Sequence, residues 1–262
     1  MTDLFKPENV AAAIDWRIEQ LRSTSFLIPM FDRSAEDVFR LIAQSAPTQV
    51  TENRQQAVQT AAGGFASAKL DVIKHPGRID VLISPTDEAR ASEGAVTTIG
   101  SWNEVVGSFD SGIRAWLGTH PELHRLAFGA ICQHEVTDRK AAYSILNQLL
   151  PTVDIDVEHS TDFSYQINRP RLANFQDSFS CKINRLSKWS AAAVVLQTVM
   201  IPTPGAAAQP PPFTATVNNY CRAEVDLSTD AEIQQLPTHH LEDLWNKLTT
   251  FAAEILSKGD IR

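Results

Sequence analysis

The sequence predicts an α+β protein with largely antiparallel sheets and long packing helices, and three observations lead there. Stretches with apolar residues every three or four positions are interspersed with stretches that alternate strictly in twos. Two alternating runs, SAKLDVIK and RIDVLISP, flank His75-Pro76-Gly77 as an antiparallel hairpin. Strand groups followed by a long helix occur twice, the layout of two similar halves. The halves fall at 1–137 and 138–262, either as separate units or packed as one domain.

Along the chain, Pro7 with Val10, Ile14, Ile18 and Leu21 gives a first-turn proline and an apolar stripe, predicting a helix over 7–22. SFLIPMF reads as a short buried strand. Ser34 and Asp37 cap a helix carrying Val38, Leu41 and Ile42, which stops before Pro47. Thr48 to Gly64 is ambiguous. In the hairpin, Leu70 and Val72 on one strand and Ile79, Val81 and Ile83 on the other face the core. TDEARASEGA is a polar loop, and Ser101 with Glu104 forms a capping box for a helix whose Phe109, Ile113, Trp116 and Leu117 repeat at helical spacing. Leu126, Phe128, Ala130 and Cys132 share one strand face, and a helix over Lys140 to Leu150 is halted by Pro151.

Further on, Phe163, Tyr165 and Ile167 alternate, as do Phe179, Cys181 and Ile183. WSAAAVVLQTVMI reads as a strand buried on much of both faces. PTPGAAAQPPPF, over 202–213, holds five prolines and forms a loop before the returning strand TATVNNYCRAEVDLS. The last helix runs from Thr238 to Lys258 with Gly259 as its stop.

A chain of 262 residues with 43% hydrophobic and 21% charged content supports a sizeable core. The net charge of -8, without a local basic patch, argues against nucleic acid and anionic membrane as partners. Cys132, Cys181 and Cys221 are far apart and odd in number, which fits reduced thiols in a cytoplasm better than a disulfide framework. MTDLFKPENV lacks the basic and apolar regions of a secretory signal, and the longest apolar run, from Ala191, falls well short of the ~20 residues that span a bilayer. A soluble cytoplasmic protein is expected.

Several constellations bear on chemistry. THPELHRLAFGAICQHEV holds His120 and His124 at i, i+4 and Cys132 and His134 at i, i+2, nitrogen and sulfur donors that could hold zinc if the fold gathers them. HEVTD misses the zincin motif because Asp138 stands where the second histidine should be. Asp154, Asp156 and Glu158 would share one face of a strand, more often a solvated edge than a Mg²⁺ or Ca²⁺ site. His239 and His240 fall in the first turn of the last helix, where the macrodipole favours neutral imidazole. GxGxxG, GxxxxGK[ST] and GxSxG are absent, so no cofactor is expected and standard nucleotide enzymology is disfavoured.

The motif Ile-Asn-Arg occurs at 167–169 and again at 183–185. A hairpin centred on Asn174 would place Asn168 and Asn184 roughly 13 Å apart along the ladder, facing outward. Asn168, Arg169, Arg171, Asn184 and Arg185 would then lie near strand ends as solvated charge or as a polar face for an acidic partner.

The ending CRAEVDLSTDAEIQQLPTHHLEDLWNKLTTFAAEIL and the tryptophan-led helix GSWNEVVGSF resemble a sporadically distributed, uncharacterised bacterial family of about this length. The layout is similar to that of the export chaperone SecB. The resemblance implies an interaction protein, chaperone-like or part of a bacterial defence or toxin-associated complex, whose partner is another protein or itself. A non-enzymatic protein-binding or assembly component, forming a homo-oligomer or a complex, is therefore the leading expectation. The alternative is a metal-dependent hydrolase built on His120, His124, Cys132 and His134.

Overall fold

The computed structural model describes residues 14–28, 32–92, 96–199 and 213–261. Its strands are β1 (Arg17–Leu27), β2 (Gln49–Asn53), β3 (Val58–Phe65), β4 (Ala68–His75), β5 (Arg78–Ser84), β6 (Gly100–Ser101), β7 (Leu123–Val136), β8 (Ser164–Asn168), β9 (Arg171–Asn174), β10 (Ser180–Val199) and β11 (Phe213–Thr229). All belong to one eleven-stranded antiparallel sheet in the order β2-β3-β4-β5-β1-β7-β11-β10-β8, with β6 beside β1 and β9 beside β10. The described helices are α1 (Ala35–Ala43), α2 (Asp87–Ser92), α3 (Trp102–Leu117), α4 (Arg139–Leu149) and α5 (Leu241–Lys258).

The expectation of an α+β protein with several sheets and long packing helices is thus corrected: one sheet dominates, and short helices serve it. The largest single source of the error is β1. Residues 14–22 read as helix because Ile14, Ile18 and Leu21 are spaced by four and three, yet 17–27 is the central strand. A register shift between Ile18 and Gln20, opposite β7, puts Ile18 and Leu21 on the same sheet face. A bulge therefore imitates a helical period. The first part of the expected 7–22 helix and most of the proline-rich loop lie outside the described residues. The ambiguous stretch from Thr48 to Gly64 forms β2 and most of β3, and part of the expected loop TDEARASEGA is α2.

Elsewhere the local signals hold. Asp37 accepts from the Ser34 backbone N–H (3.0 Å) while Ser34 Oγ accepts from Asp37 N (3.1 Å), the reciprocal cap that starts α1. Glu104 accepts from the Ser101 N–H in the same way at α3. The β4–β5 hairpin closes at Pro76-Gly77 with His75 opposite Arg78 and Gly77 at φ 73.

The side chains of Leu21, Leu70, Val81, Phe128, Trp189 and Val225 join one hydrophobic core with the inner faces of α1, α3, α4 and α5. Over its centre, Trp245 of α5 packs edge-on against Phe128 of β7 (5.5 Å) and Phe109 of α3 (6.1 Å). The buried indoles find acceptors: Trp116 Nε1 donates to Ser25 Oγ (3.1 Å), Trp245 Nε1 to Asp110 Oδ1 (2.8 Å) and Trp16 Nε1 to the Leu256 carbonyl (2.8 Å).

α5 stops at Gly259, φ 76, and the next residue returns to the body of the protein when Asp260 N donates to Leu149 O (2.8 Å). A Cβ on Gly259 would lie 1.9 Å from that carbonyl oxygen. Gly259→Ala is therefore expected to cost at least ~2 kcal/mol in urea unfolding followed by tryptophan fluorescence. A loss below ~0.5 kcal/mol would show that the C-terminal residues are not held as described.

Candidate protein-binding surface

The four residues expected to hold a metal are not brought together. His124 and His134 sit on the same strand, β7, roughly 33 Å apart at ~3.3 Å per residue. His124 packs against Phe26 (5.9 Å) on the face away from the helices, and His120 lies exposed in the turn after α3. His134 Nδ1 is 3.0 Å from the Asp15 carbonyl. Cys132 does share a strand face with His134, but it points into the core, where burial pushes its thiol far above the ordinary range. Burial likewise pushes the Cys221 thiol up to about 12. The hydrolase reading loses the centre it was built on.

The acidic stretch 153–162 is also a correction, since it forms turns and not a strand. Asp156 accepts from the backbone N–H of Glu158 (3.0 Å) and His159 (3.1 Å), and these bonds, that of His159 foremost, hold its carboxyl below the usual range. Glu158 pairs with Lys140. Local backbone bonds account for Asp156 and an ion pair for Glu158.

The two Ile-Asn-Arg segments meet in an unexpected register. The turn between β9 and β10 lies at Gln176–Ser178, later than the Asn174 expected, so Asn168 stands opposite Leu186. Asn168 Nδ2 donates to Asn184 Oδ1 at 3.2 Å, and Asn168 Oδ1 accepts from the Arg185 backbone at 2.9 Å. The asparagines are a mutual bridge, not residues 13 Å apart.

The arginines are not solvated charge either. Arg169, Arg171 and Arg185 project to the helix side, where Arg169 pairs with Asp260 and Arg171 with Glu254 (2.8 Å). Arg185, its side chain 2% exposed, lies 3.7 Å from Glu254, and Phe251 sits under both Arg171 (5.1 Å) and Arg185 (5.2 Å). Burial first, then the Arg171 charge, lowers the Arg185 pKa. Asp260 also accepts from Tyr165 Oη (2.9 Å) and Thr152 Oγ1 (3.2 Å). The hydrogen bond from Arg169 is the main cause that holds its carboxyl below the usual range, against the opposing effect of burial. The three arginines therefore fasten the sheet edge to α5 and the residue that follows its stop, the two asparagines tie β8 to β10, and these five leave no free basic face.

Among the described residues, the sheet face away from the helices carries cross-strand ion pairs. Arg22 reaches across β7 to Asp226 (3.0 Å), over Gly129, where a Cβ would come within 3.3 Å of the guanidinium. Arg222 joins Glu19 to Glu224, and Lys188 also approaches Glu224 (3.4 Å). A shallow depression of about 320 Å³ lies there, bounded by Arg22, Lys188, Glu224 and Asp226. Its charges are mutually matched.

Among the described residues, the far end of β10 and β11 projects beyond its neighbouring strands. β8 pairs with β10 only as far as Ser190, and β7 with β11 only as far as Asn219. Beyond those points the two strands pair solely with each other, to Val199 opposite Phe213. The ribbon leaves the outer edges of 191–199 and 213–218 without a described strand partner, over roughly 30 Å. Val195 and Val217, directly opposite each other, are 54% and 51% exposed. The expectation that this run is buried on much of both faces is corrected over its described side chains: Trp189 is in the core, but 191–195 are half-buried or exposed on a projecting ribbon. No known protein family, curated protein or solved structure matches the chain.

The Asp260 cluster predicts a pH dependence. Because the folded carboxyl sits below its usual value, its stabilisation is complete above ~4 and is lost as pH falls through the lowered folded value. Asp260→Asn is expected to lose ~3 kcal/mol at neutral pH by urea unfolding, and less as the pH drops below ~4. An equal deficit at pH 7 and pH 3 would show that the carboxylate charge is not what holds the edge.

Proposed function

We propose that this protein is a non-enzymatic assembly component that binds extended protein segments by strand addition to the β10–β11 ribbon, and that a second copy of the chain is one such segment's source. The ribbon's outer edges, unpaired among the described residues, and its exposed Val195–Val217 pair are the observation that carries the reading. An edge with free N–H and C=O groups is a template for another strand, with main-chain bonds giving affinity and alternate side chains giving selectivity. Two identical ribbons can pair edge to edge and antiparallel about a twofold axis, which sets each valine pair beside the other copy's on a widened sheet.

A chaperone-like or complex-assembling role belongs to the same proposal. Three buried, unpaired thiols suit a reducing cytoplasm. No helix among the described residues is long and apolar enough to cross a membrane.

Size-exclusion chromatography with light scattering at ~100 μM protein is expected to give a dimer or larger for the native chain. Val195→Lys combined with Val217→Lys, both at exposed positions, should weaken association at least ~10-fold without lowering thermal stability by more than a degree or two. A native chain that stays monomeric at that concentration, or a variant that associates as well, would overturn the proposal.

A further inference from the structure

A second cluster lies outside the ribbon, at the opposite end of β10. In the turn between β9 and β10, Asp177 and Ser178 both take left-handed backbone conformations, φ 61 and φ 63, which non-glycine residues adopt sparingly. That turn stands against the 3-10 turn Thr238–His240 ahead of α5, and the donor atoms of Asp177, His239 and His240 all lie within 4.8 Å of one another. His239 Nε2 is 4.0 Å from Asp177 Oδ2.

His240 supplies an independent observation. It is 4% exposed, its ring stacks on Phe179 (5.4 Å, 12° between planes) with Phe175 at 5.5 Å, and neither ring nitrogen has a hydrogen-bond partner among the described residues. A buried donor and acceptor left unpaired is both costly and uncommon. The aromatic pair holds the imidazole in place, and a second imidazole and a carboxylate stand beside it.

We propose that Asp177, His239 and His240 form a binding site for one divalent transition-metal ion of the zinc class. Two imidazole nitrogens and one carboxylate suit Zn²⁺, Co²⁺ or Ni²⁺ better than the oxygen-seeking Ca²⁺ or Mg²⁺. Asp243, a turn further along, places Oδ2 3.7 Å from His240 Nδ1, where a small movement lets it accept a hydrogen bond from Nδ1–H and leaves Nε2 as the ligand atom. Donors around one such ion lie closer together than these do. The exposed side chains of His239 (65%) and Asp177 (80%) have the freedom to close in, while His240 stays fixed. Three protein donors leave a fourth position for water. The ion ties the start of β10 to the start of α5.

The test is titration of tag-free, metal-stripped full chain with Zn²⁺ by calorimetry and with Co²⁺ by visible absorption. One equivalent should bind. His239→Ala and Asp177→Asn, both at exposed positions, should each weaken Zn²⁺ at least ~10-fold, and Asp243→Asn by about the same factor through the lost outer support. His124→Ala and His134→Ala should bind as the native chain does. Far-ultraviolet circular dichroism confirms that each variant is folded. No stoichiometric binding by the native chain, or losses below ~10-fold in both His239→Ala and Asp177→Asn, would overturn the site.

Discussion

The antiparallel pairing of β1 with β7 is the constraint on which the rest of the architecture rests. On one side stand β5, β4, β3 and β2, on the other β11, β10 and β8, and only this ladder joins them into one sheet. The order of connection is the same on both sides: β1 leads to α1 and β7 to α4, while β5 and β11 return beside them before α3 and α5. α3 and α5 then meet above the central pair, where Trp245 bonds Asp110 and Arg114 pairs with Asp110 and Glu242. The middle of β1 is fitted to this load. Ser23 and Ser25 face the core opposite Phe128 and Leu126, and their small side chains leave room for the aromatic rings that α3 and α5 deliver. Ser25 gains a bond from Trp116, whereas the Ser23 hydroxyl is buried without a partner among the described residues. A leucine at either place would add volume where the layer is already filled, and overpacking costs as surely as a cavity.

Charge follows the same division of labour. The chain carries 31 acidic and 23 basic side chains, and several of its arginines are used inside. Arg169, Arg171 and Arg185 turn from the edge strands toward Glu254, Phe251 and Asp260, so the edge formed by β8 and β9 is bound to α5 by ionic and ring contacts as well as by packing. Pro170 separates β8 from β9 and cannot donate to the ladder, so this edge has weak backbone pairing where the ion pairs are densest. Buried pairs contribute little net stability against a hydrophobic alternative, but they penalise any slipped register that would strand a charge. Here that fixes which face of β8 and β9 meets the helix layer.

Much of this was legible in the residues. Ser34, Ser101 and Gly259 announced helix ends because capping chemistry is local, and the alternation of Leu70, Val72, Ile79, Val81 and Ile83 announced a hairpin because a two-residue turn leaves no other register. Three kinds of feature were hidden. The bulge in β1 made a strand look helical. Whether WSAAAVVLQTVMI is core or projecting ribbon depends on where β7 and β8 end, which no local pattern records. The partners of Arg169 and Asp260, distant in sequence, likewise depend on the fold. The histidines show the same limit: the spacing of His124, Cys132 and His134 suggested donors, but an extended strand spreads them out, whereas Asp177 and the adjacent His239 and His240 meet only because two turns are brought together.

The length of β10 connects the two proposals physically. Its first part, from Ser180 to Ser190, is paired on both edges, with β9 and β8 on one side and, from Ile183, β11 on the other. Its second part, from Ala191 to Val199, is paired on one edge only among the described residues. A two-stranded ribbon is marginal by itself in water, since each residue ordered costs conformational entropy that one ladder and one exposed face scarcely offset. The ribbon is therefore ordered by continuity with the paired base, and whatever stiffens the base stiffens the ribbon. An ion held between Asp177 and His240 would anchor β10 at its origin. Strand addition at the far end would supply the missing second edge. The strand that leaves the sheet is thus held at its base, and Val195 and Val217 are exposed where the ribbon has left the paired part of the sheet.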